Sequence, residues 1–422
     1  MSRRITSERT VTNPGRHGLR RRARAGFTLL EMLVALVAGA MTIATAYSLG
    51  AGSSRAFREQ NRINQTQAGV RSAMEQLRRD LSRAGLGATP DSGATASSGD
   101  RGSNPAGCAV TPGFRMRALQ VEHNAYSDQL ALADDNVVQA DGLILTGNFA
   151  TGDHYLVAEI VAGTTITLQQ TRQSFRRSFG APLNAQRFAE AFRVGRWVYL
   201  VSETGRRIAR QISSVNGASA TITVNDTISV GCFGHGRGAR ISPISRVEYY
   251  AASPADGNAF EWLLPRGGSS AERIARGVEQ TILARRELDF VDANTAVPNS
   301  ERVVLEYLAH FDVSLVLDTA LGTAAPLLTE PIIDDGGAAQ LDAAPARVRA
   351  ARVRLAGRSS GVDANFPWAG SRADQRSSLR SYLPRLPPGM SAAQAVGQAP
   401  AAHVRSAEEV VMLENIANRG LR

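Results

Sequence analysis

The side chains that most often perform catalysis or bind metals are few and scattered in this sequence. It contains two cysteines, six histidines and no lysine, and no two histidines have the i, i+4 spacing of one helix face. No C-x-x-C or H-E-x-x-H pattern occurs. The lack of lysine excludes a P-loop lysine and a Schiff base. We therefore predict no catalytic residue, no metal site and no cofactor.

One side chain does indicate a specific chemistry by its position. Glu31 is the only charged residue in the segment 27–54. A helix of about 20 apolar residues crosses the hydrocarbon core of a membrane. The mostly apolar stretch 27–50 is 24 residues long, which is enough to do so. A carboxylate there costs roughly 2.5–3.5 kcal/mol at the bilayer centre and less nearer the edge. Glu31 therefore needs a role that offsets this cost.

The basic residues are concentrated before the apolar segment. Residues 1–26 hold eight arginines and one acid, so this block carries +7 of the chain's net charge of +10 and leaves +3 for the rest. The positive-inside rule keeps the block in the cytoplasm and sends the remaining residues outward. The small remaining charge gives no support for a nucleic-acid partner.

Three interpretations of the N-terminal region compete. It is a plain transmembrane anchor, a secretory signal peptide cut after Ala44-Thr45-Ala46, or a prepilin signal. Neither an anchor nor a secretory signal peptide gains anything from the acid at Glu31, which favours the third.

The run from Arg24 to Ala35 reads Arg-Ala-Gly-Phe-Thr-Leu-Leu-Glu-Met-Leu-Val-Ala. It resembles the class III signal of type IV pilins and type II secretion pseudopilins. In that family a membrane peptidase cuts after the glycine and methylates the new N-terminal residue. The resemblance implies cleavage between Gly26 and Phe27, N-methylation of Phe27, and Glu31 as the fifth mature residue.

Cleavage at Gly26 would create an ammonium group at the start of an apolar helix, where it needs a partner as much as the Glu31 carboxylate does. The amine of one subunit and the Glu31 of a neighbour satisfy each other, which offsets much of the cost of burying either charge alone. In this interpretation Glu31 sets the register between subunits and is not a catalytic acid.

The helix is predicted to continue beyond the apolar segment. Residues 55–84 contain no proline, and six apolar residues fall on one face at helical spacing. They are Ile63, Val70, Met74, Leu77, Leu81 and Ala84. Glycines after Ala84 end the pattern. A coiled-coil stalk is the alternative interpretation of residues 55–84. In a pilin, the apolar stripe of this helix would instead pack on a β-sheet.

The remainder of the chain shows mainly β signals. Strands are predicted at 142–147, 155–161, 164–169, 197–201, 207–215, 219–224, 244–251, 303–308, 312–317, 348–355 and 404–413, with a short helix at 271–279. Ala162-Gly163 and Asn216-Gly217 are expected hairpin turns. The predicted fold class is α+β, a long N-terminal helix packed on an antiparallel sheet.

The expected division follows these signals. It consists of a leader (1–26), a transmembrane or filament-core helix (27–54), its amphipathic continuation (55–84), a linker (85–107), a β-rich region (108–240), and a second β-rich region (241–422) with flexible loops at 319–345 and 358–402.

Four short segments, 246–250, 274–279, 347–355 and 410–415, resemble the PilW-like minor pilins. That resemblance implies a subunit that primes pilus assembly with other minor pilins and the major pilin, supports a tip adhesin, and serves motility or adhesion. Its other partner is prepilin peptidase. It would sit in the inner membrane with a periplasmic body before moving into a pilus on the cell surface.

Two rival functions stay open at this point. A minor pseudopilin of the J type in a type II secretion system has the same signal. A periplasmic enzyme or binding protein with a cut signal peptide would instead start near Tyr47.

The two cysteines, Cys108 and Cys232, would face an oxidising compartment after export, where disulfides persist. A bridge between them would close a loop of over a hundred residues, worth about 4–5 kcal/mol in the chain-entropy model. A disulfide and two separate free thiols are both compatible with the sequence.

Overall fold

A computed structural model describes residues 27–85, 118–123, 125, 140–203, 205, 207–230, 234–255, 257–264, 269, 280–289, 295–319, 327–329, 347–370, 381–384 and 387–413. The chain forms two compact units, one ending at Arg58 and the other beginning at Glu59. The sheets belong to the second unit.

Helix α1 runs without a break from Leu29 to Arg83. Of the stripe predicted from the sequence, Val70, Met74, Leu77 and Leu81 of its second half are buried, as is Ala84 directly after the helix, while Ile63 is half-buried. Gly85, with a φ of 83°, follows the helix and donates its N–H to Thr146 O. This left-handed glycine ends the helix where the sequence predicted, because a residue with a Cβ is strained in that conformation.

The first sheet contains ten antiparallel strands. They are β1 (Leu119–Glu122), β2 (Gly142–Gly147), β3 (Tyr155–Val161), β4 (Thr165–Leu168), β5 (Trp197–Val201), β6 (Arg207–Asn216), β7 (Thr221–Val224), β8 (Arg240–Ala252), β9 (Ile282–Leu288) and β10 (Arg302–Glu306). Two short helices, α2 (Gln173–Phe179) and α3 (Ala185–Ala191), lie between β4 and β5 in the chain. A 3₁₀ turn spans Glu261–Leu263.

Six of these strands close into a ring, in the order β8, β3, β4, β7, β6, β5 and back to β8. The closure depends on β8, whose Ile241 pairs with Tyr155 of β3 on one side and with Leu200 of β5 on the other. The second half of β8 pairs instead with β2 and β9. One long strand therefore joins the ring to the rest of the sheet.

The ring has its own apolar core, to which α2 and α3 contribute an aromatic cluster. Tyr155, Phe175, Phe179, Phe188 and Phe192 stack with ring centroids 4.9–6.1 Å apart. Aromatic pairs at such distances stabilise beyond the area that they bury. The cluster is separate from the core beneath α1.

The second sheet contains six strands. They are β11 (Leu308–Asp318), β12 (Leu328–Thr329), β13 (Val348–Arg358), β14 (Asp363–Pro367), β15 (Ser381–Tyr382) and β16 (Pro400–Met412). Tyr307, with a φ of 55°, separates β10 from β11 and lies where the chain passes from one sheet to the other. Helix α4 (Ala392–Ala395) precedes β16.

The main core lies where both sheets meet the second half of α1. Val70 and Leu77 of the helix are buried in one cluster with Leu143 of β2, Phe311 of β11 and Leu355 of β13. The helix packed on an antiparallel sheet, which is the predicted fold class, is confirmed.

The hairpin predicted at Ala162-Gly163 forms with positive φ at both residues, but Thr164 is a third residue of its turn, because Val161 pairs with Thr165. The turn predicted at Asn216-Gly217 is wrong in its length. Strand β6 ends at Asn216, which pairs with Thr221, so four residues make the turn. The Asn216 side chain accepts the N–H groups of Ala218 and Ser219 at 3.1 and 3.3 Å, which stabilises the longer loop.

Two further expectations differ from the structure or fall outside it. The predicted loop at 358–402 contains β14, β15 and α4, all too short to give a periodic signal. The predicted helix at 271–279 lies outside the described residues.

A buried polar contact fixes the second half of α1 on the first sheet. Asp80 of α1 accepts from Arg285 Nε of β9 at 2.8 Å and from the Tyr249 hydroxyl of β8 at 2.7 Å, both on Oδ2. Burial raises the pKa of Tyr249, so the phenol remains protonated and donates. Because all three side chains are more than nine-tenths buried, they must satisfy one another.

We predict that Asp80→Ala strongly destabilises the protein, since it leaves the Arg285 guanidinium buried without its acid. Removing one partner of a buried ion pair costs about 3–5 kcal/mol. Urea unfolding of the full chain in detergent measures the loss. Glu75→Ala is the control, because the Glu75–Arg78 pair on the same helix is exposed. Equal, small effects of both variants would contradict the role of Asp80.

Candidate functional site

The first turn of α1 contains a contact that sequence reasoning missed. Glu31 Oε2 accepts from the Thr28 N–H at 3.0 Å and from Thr28 Oγ1 at 3.1 Å, while Thr28 Oγ1 accepts from the Glu31 N–H at 3.3 Å. This reciprocal arrangement is a capping box, and the Thr-x-x-Glu spacing could have predicted it. Glu31 therefore has a local structural role in its own chain.

The capping box leaves the Glu31 charge without a cation. Its partners in the described part of the first unit are the neutral groups of Thr28. A neutral hydrogen bond helps to satisfy a carboxylate in an apolar medium but does not cancel its charge. A cation from elsewhere is still needed when the segment is surrounded by lipid or by other apolar helices.

Three hydroxyl groups of the apolar segment are satisfied within the helix. Thr42 Oγ1 donates to Ala38 O, Thr45 Oγ1 to Met41 O, and Ser48 Oγ to Thr45 O, at 2.7–2.9 Å. Such back-bonds to the preceding turn are how hydroxyls are accommodated away from water. Glu31 is the one charged side chain in this segment, and its charge requires something outside the helix.

The apolar side chains of the segment are exposed in the described part of their unit. Phe27 is 87% exposed, Leu36 73% and Leu49 74%. Of the described helices, α1 alone is long and apolar enough to cross a membrane, and its apolar part is not buried in the protein. A continuous exposed apolar surface of this kind requires lipid or other apolar helices to cover it.

Of the site residues predicted from the sequence, the structure describes Phe27, two residues before α1 begins, and Glu31, in the first turn of α1. Gly26, Cys108 and Cys232 lie outside the described residues. The cleavage site, the methylation and the disulfide therefore stay predictions.

Ser359, Asp363 and His403 come together at the second sheet, a trio not expected from the sequence although residues 357–361 have G-x-S-x-G spacing. His403 Nε2 lies 3.2 Å from Asp363 Oδ2. However, Ser359 Oγ donates to Gly361 O at 2.8 Å and accepts from the His403 main-chain N–H at 3.1 Å. Both bonds of the hydroxyl go to the main chain, which gives Ser359 a structural role.

Two groups of described side chains bring three possible metal-ligand atoms within 4.8 Å of one another. One is Glu59, Asp363 and His403, and the other is His123, Asp141 and Asp312. In the second group Asp141 already contacts His123 at 3.0 Å and accepts from the Val313 N–H at 2.7 Å. Contacts within the protein account for the groups, and we assign a metal to neither.

A family model describes the N-terminal segment. Residues 21–47 match the prokaryotic N-terminal methylation motif, which includes Gly26, Phe27 and Glu31. In this segment the chain is type IV pilin-like. The match covers the signal and the first part of α1 and does not extend into the body.

Comparisons of the whole chain add little to this assignment. A structural search matched a type IV-like pilin from Thermus thermophilus at 14% identity, covering 55% of this chain and 92% of that chain with a TM-score of 0.18. A score this low carries no argument about fold or function. A search of curated proteins found no match.

Proposed function

We propose that this chain is a PilW-like minor pilin of a type IV pilus, cut by prepilin peptidase and inserted with other pilins to prime or support assembly. One observation carries the proposal. Within the segment that matches the methylation motif, Glu31 is the only charge on an exposed apolar helix. A helix of that kind requires both an apolar covering and a cation, and a neighbouring processed subunit supplies the two together.

The size of the body supports a minor role. A ring of six strands with its own aromatic core is built into the first sheet in addition to the strands that contact α1. In the inner membrane α1 would hold the subunit with its body in the periplasm until assembly. Other minor pilins, the major pilin and a tip adhesin are the partners that we propose.

We predict that the mature protein begins at N-methylphenylalanine 27. Intact-mass and N-terminal peptide analysis of the protein from its native host checks this. Gly26→Val is expected to block cleavage, because the peptidase cuts beside that residue. Gly39→Val is the matched control, since an added Cβ at Gly39 meets nothing within 4 Å. A mature start at Tyr47, or an intact arginine-rich leader, would contradict the proposal.

We predict that Glu31→Gln is inserted and cleaved normally but fails to join filaments. Glutamine keeps the capping box with Thr28, because the oxygen of either an amide or a carboxylate can accept the Thr28 N–H. Unlike glutamate, it carries no charge. Immunoblots of sheared filaments measure incorporation. Glu31→Ala should fail equally, whereas Glu75→Gln, an exposed acid further along α1, should incorporate normally.

The comparison of the two Glu31 variants separates charge from capping. Normal incorporation of Glu31→Gln together with failure of Glu31→Ala would show that Glu31 acts only as a cap. If deletion of the protein abolished secretion of folded proteins and left piliation intact, the subunit would belong to a type II secretion system.

A further inference from the structure

A cavity of about 470 Å³ opens in the second unit, bordered by the end of α1, helices α2 and α3, and strands β8, β9 and β10. Seven charged side chains line it, five of them arginines and two glutamates. They are Arg83, Arg187, Arg196, Arg285, Arg302, Glu190 and Glu287. The lining therefore has a formal excess of three positive charges.

The charges deepest in the cavity are paired. Arg285 donates to Asp80 at 2.8 Å, and Arg196 holds Glu287 through two contacts of 2.8 Å. Arg193 adds a third contact to Glu287 at 3.2 Å. Burial alone would raise the pKa of Glu287, but the bonds to Arg196 and the charge of Arg193 outweigh it and lower that pKa. The floor is thus a fixed ionic layer.

The remaining three arginines are not committed to acids. Within the described residues, Arg83, Arg187 and Arg302 form no ion pair. Arg83 has a long contact of 3.5 Å to Phe149 O. Glu190, the only other lining acid, accepts from Gln186 at 2.9 Å. Three guanidinium groups therefore border one concave space beside a single exposed carboxylate.

We propose that this cavity binds a small organic anion through a carboxylate or phosphate group. Guanidinium groups hold such groups through paired, charge-assisted hydrogen bonds. A concave site with low-dielectric walls concentrates the positive potential. The volume falls within the range of about 300–1,000 Å³ of small-molecule sites. Phe149 and Phe179 line the same space and offer apolar contact to the carbon skeleton of the ligand.

This site does not depend on prepilin processing. All its residues belong to the unit that begins at Glu59, so the proposal stands or falls independently of the assembly function. It adds a ligand-binding activity to the body, because assembly alone does not explain why three arginines without an ion pair among the described residues border one cavity.

Isothermal titration of the full chain in detergent tests the proposal, with citrate, glucose 6-phosphate and inorganic phosphate as probes at low and physiological salt. We expect saturable one-to-one binding of at least one probe. Citrate binding would identify a carboxylate site, and binding of either phosphate probe a phosphate site. Arg187→Gln/Arg302→Gln should weaken binding at least about tenfold, because both lie at the exposed mouth and each loses charged hydrogen bonds.

Arg172→Gln/Arg176→Gln is the matched control, since it removes the same charge from exposed positions on or beside α2 that do not line the cavity. It should change affinity less than about twofold. A second variant, Ala150→Glu, places a carboxylate on the lining and should also weaken binding. Absence of saturable binding by every probe at millimolar concentration, or equal weakening by the control, would overturn the proposal.

Discussion

The charge of Glu31 is the constraint on which this account of the protein depends. The hydroxyl groups of Thr42, Thr45 and Ser48 bond within the helix, and Thr28 satisfies the Glu31 carboxylate as a hydrogen-bond acceptor. Nothing in the described part of that unit supplies a cation. An apolar helix that is exposed along its length therefore has two requirements, an apolar covering and a positive charge, and in the proposed function another processed subunit would meet both.

In the described part of the body, by contrast, several buried charges are paired internally. Asp80 joins Arg285 beneath α1, and the arginines of β13 contact acids on neighbouring strands, as Arg354 does with Asp312 and Glu408. This pairing disfavours the phosphate-binding strip that an arginine-rich strand could suggest. Within the described residues, Arg83, Arg187 and Arg302 form no ion pair and border one concave space, and this shared position is what indicates a ligand.

Periodic signals in the sequence predicted the local elements but did not predict the pairing between distant segments. The stripe from Val70 to Ala84 and the hairpin at Ala162-Gly163 were predictable because each depends on neighbouring residues. The ring could not be predicted, since it closes only where Ile241 meets Tyr155 and Leu200. Gly217 shows the same limit. A Cβ at this position would lie 2.3 Å from Ala185 O, so a glycine is required here by a contact with a residue that is distant in the sequence. In the candidate site, Glu31 was identified, but its bond to Thr28 was overlooked.

The most direct test of the central claim is the distance between Glu31 and a neighbouring amine in the assembled filament. Subunits of this chain labelled with ¹³C at the glutamate carboxyl group, assembled with ¹⁵N-labelled partner subunits, allow solid-state NMR to detect contacts between chains alone. We predict dipolar coupling between the Glu31 carboxyl carbon and the N-terminal nitrogen of another subunit, at the distance of about 4 Å that defines an ion pair. Filaments that contain the labelled subunit but show no such coupling would contradict the claim.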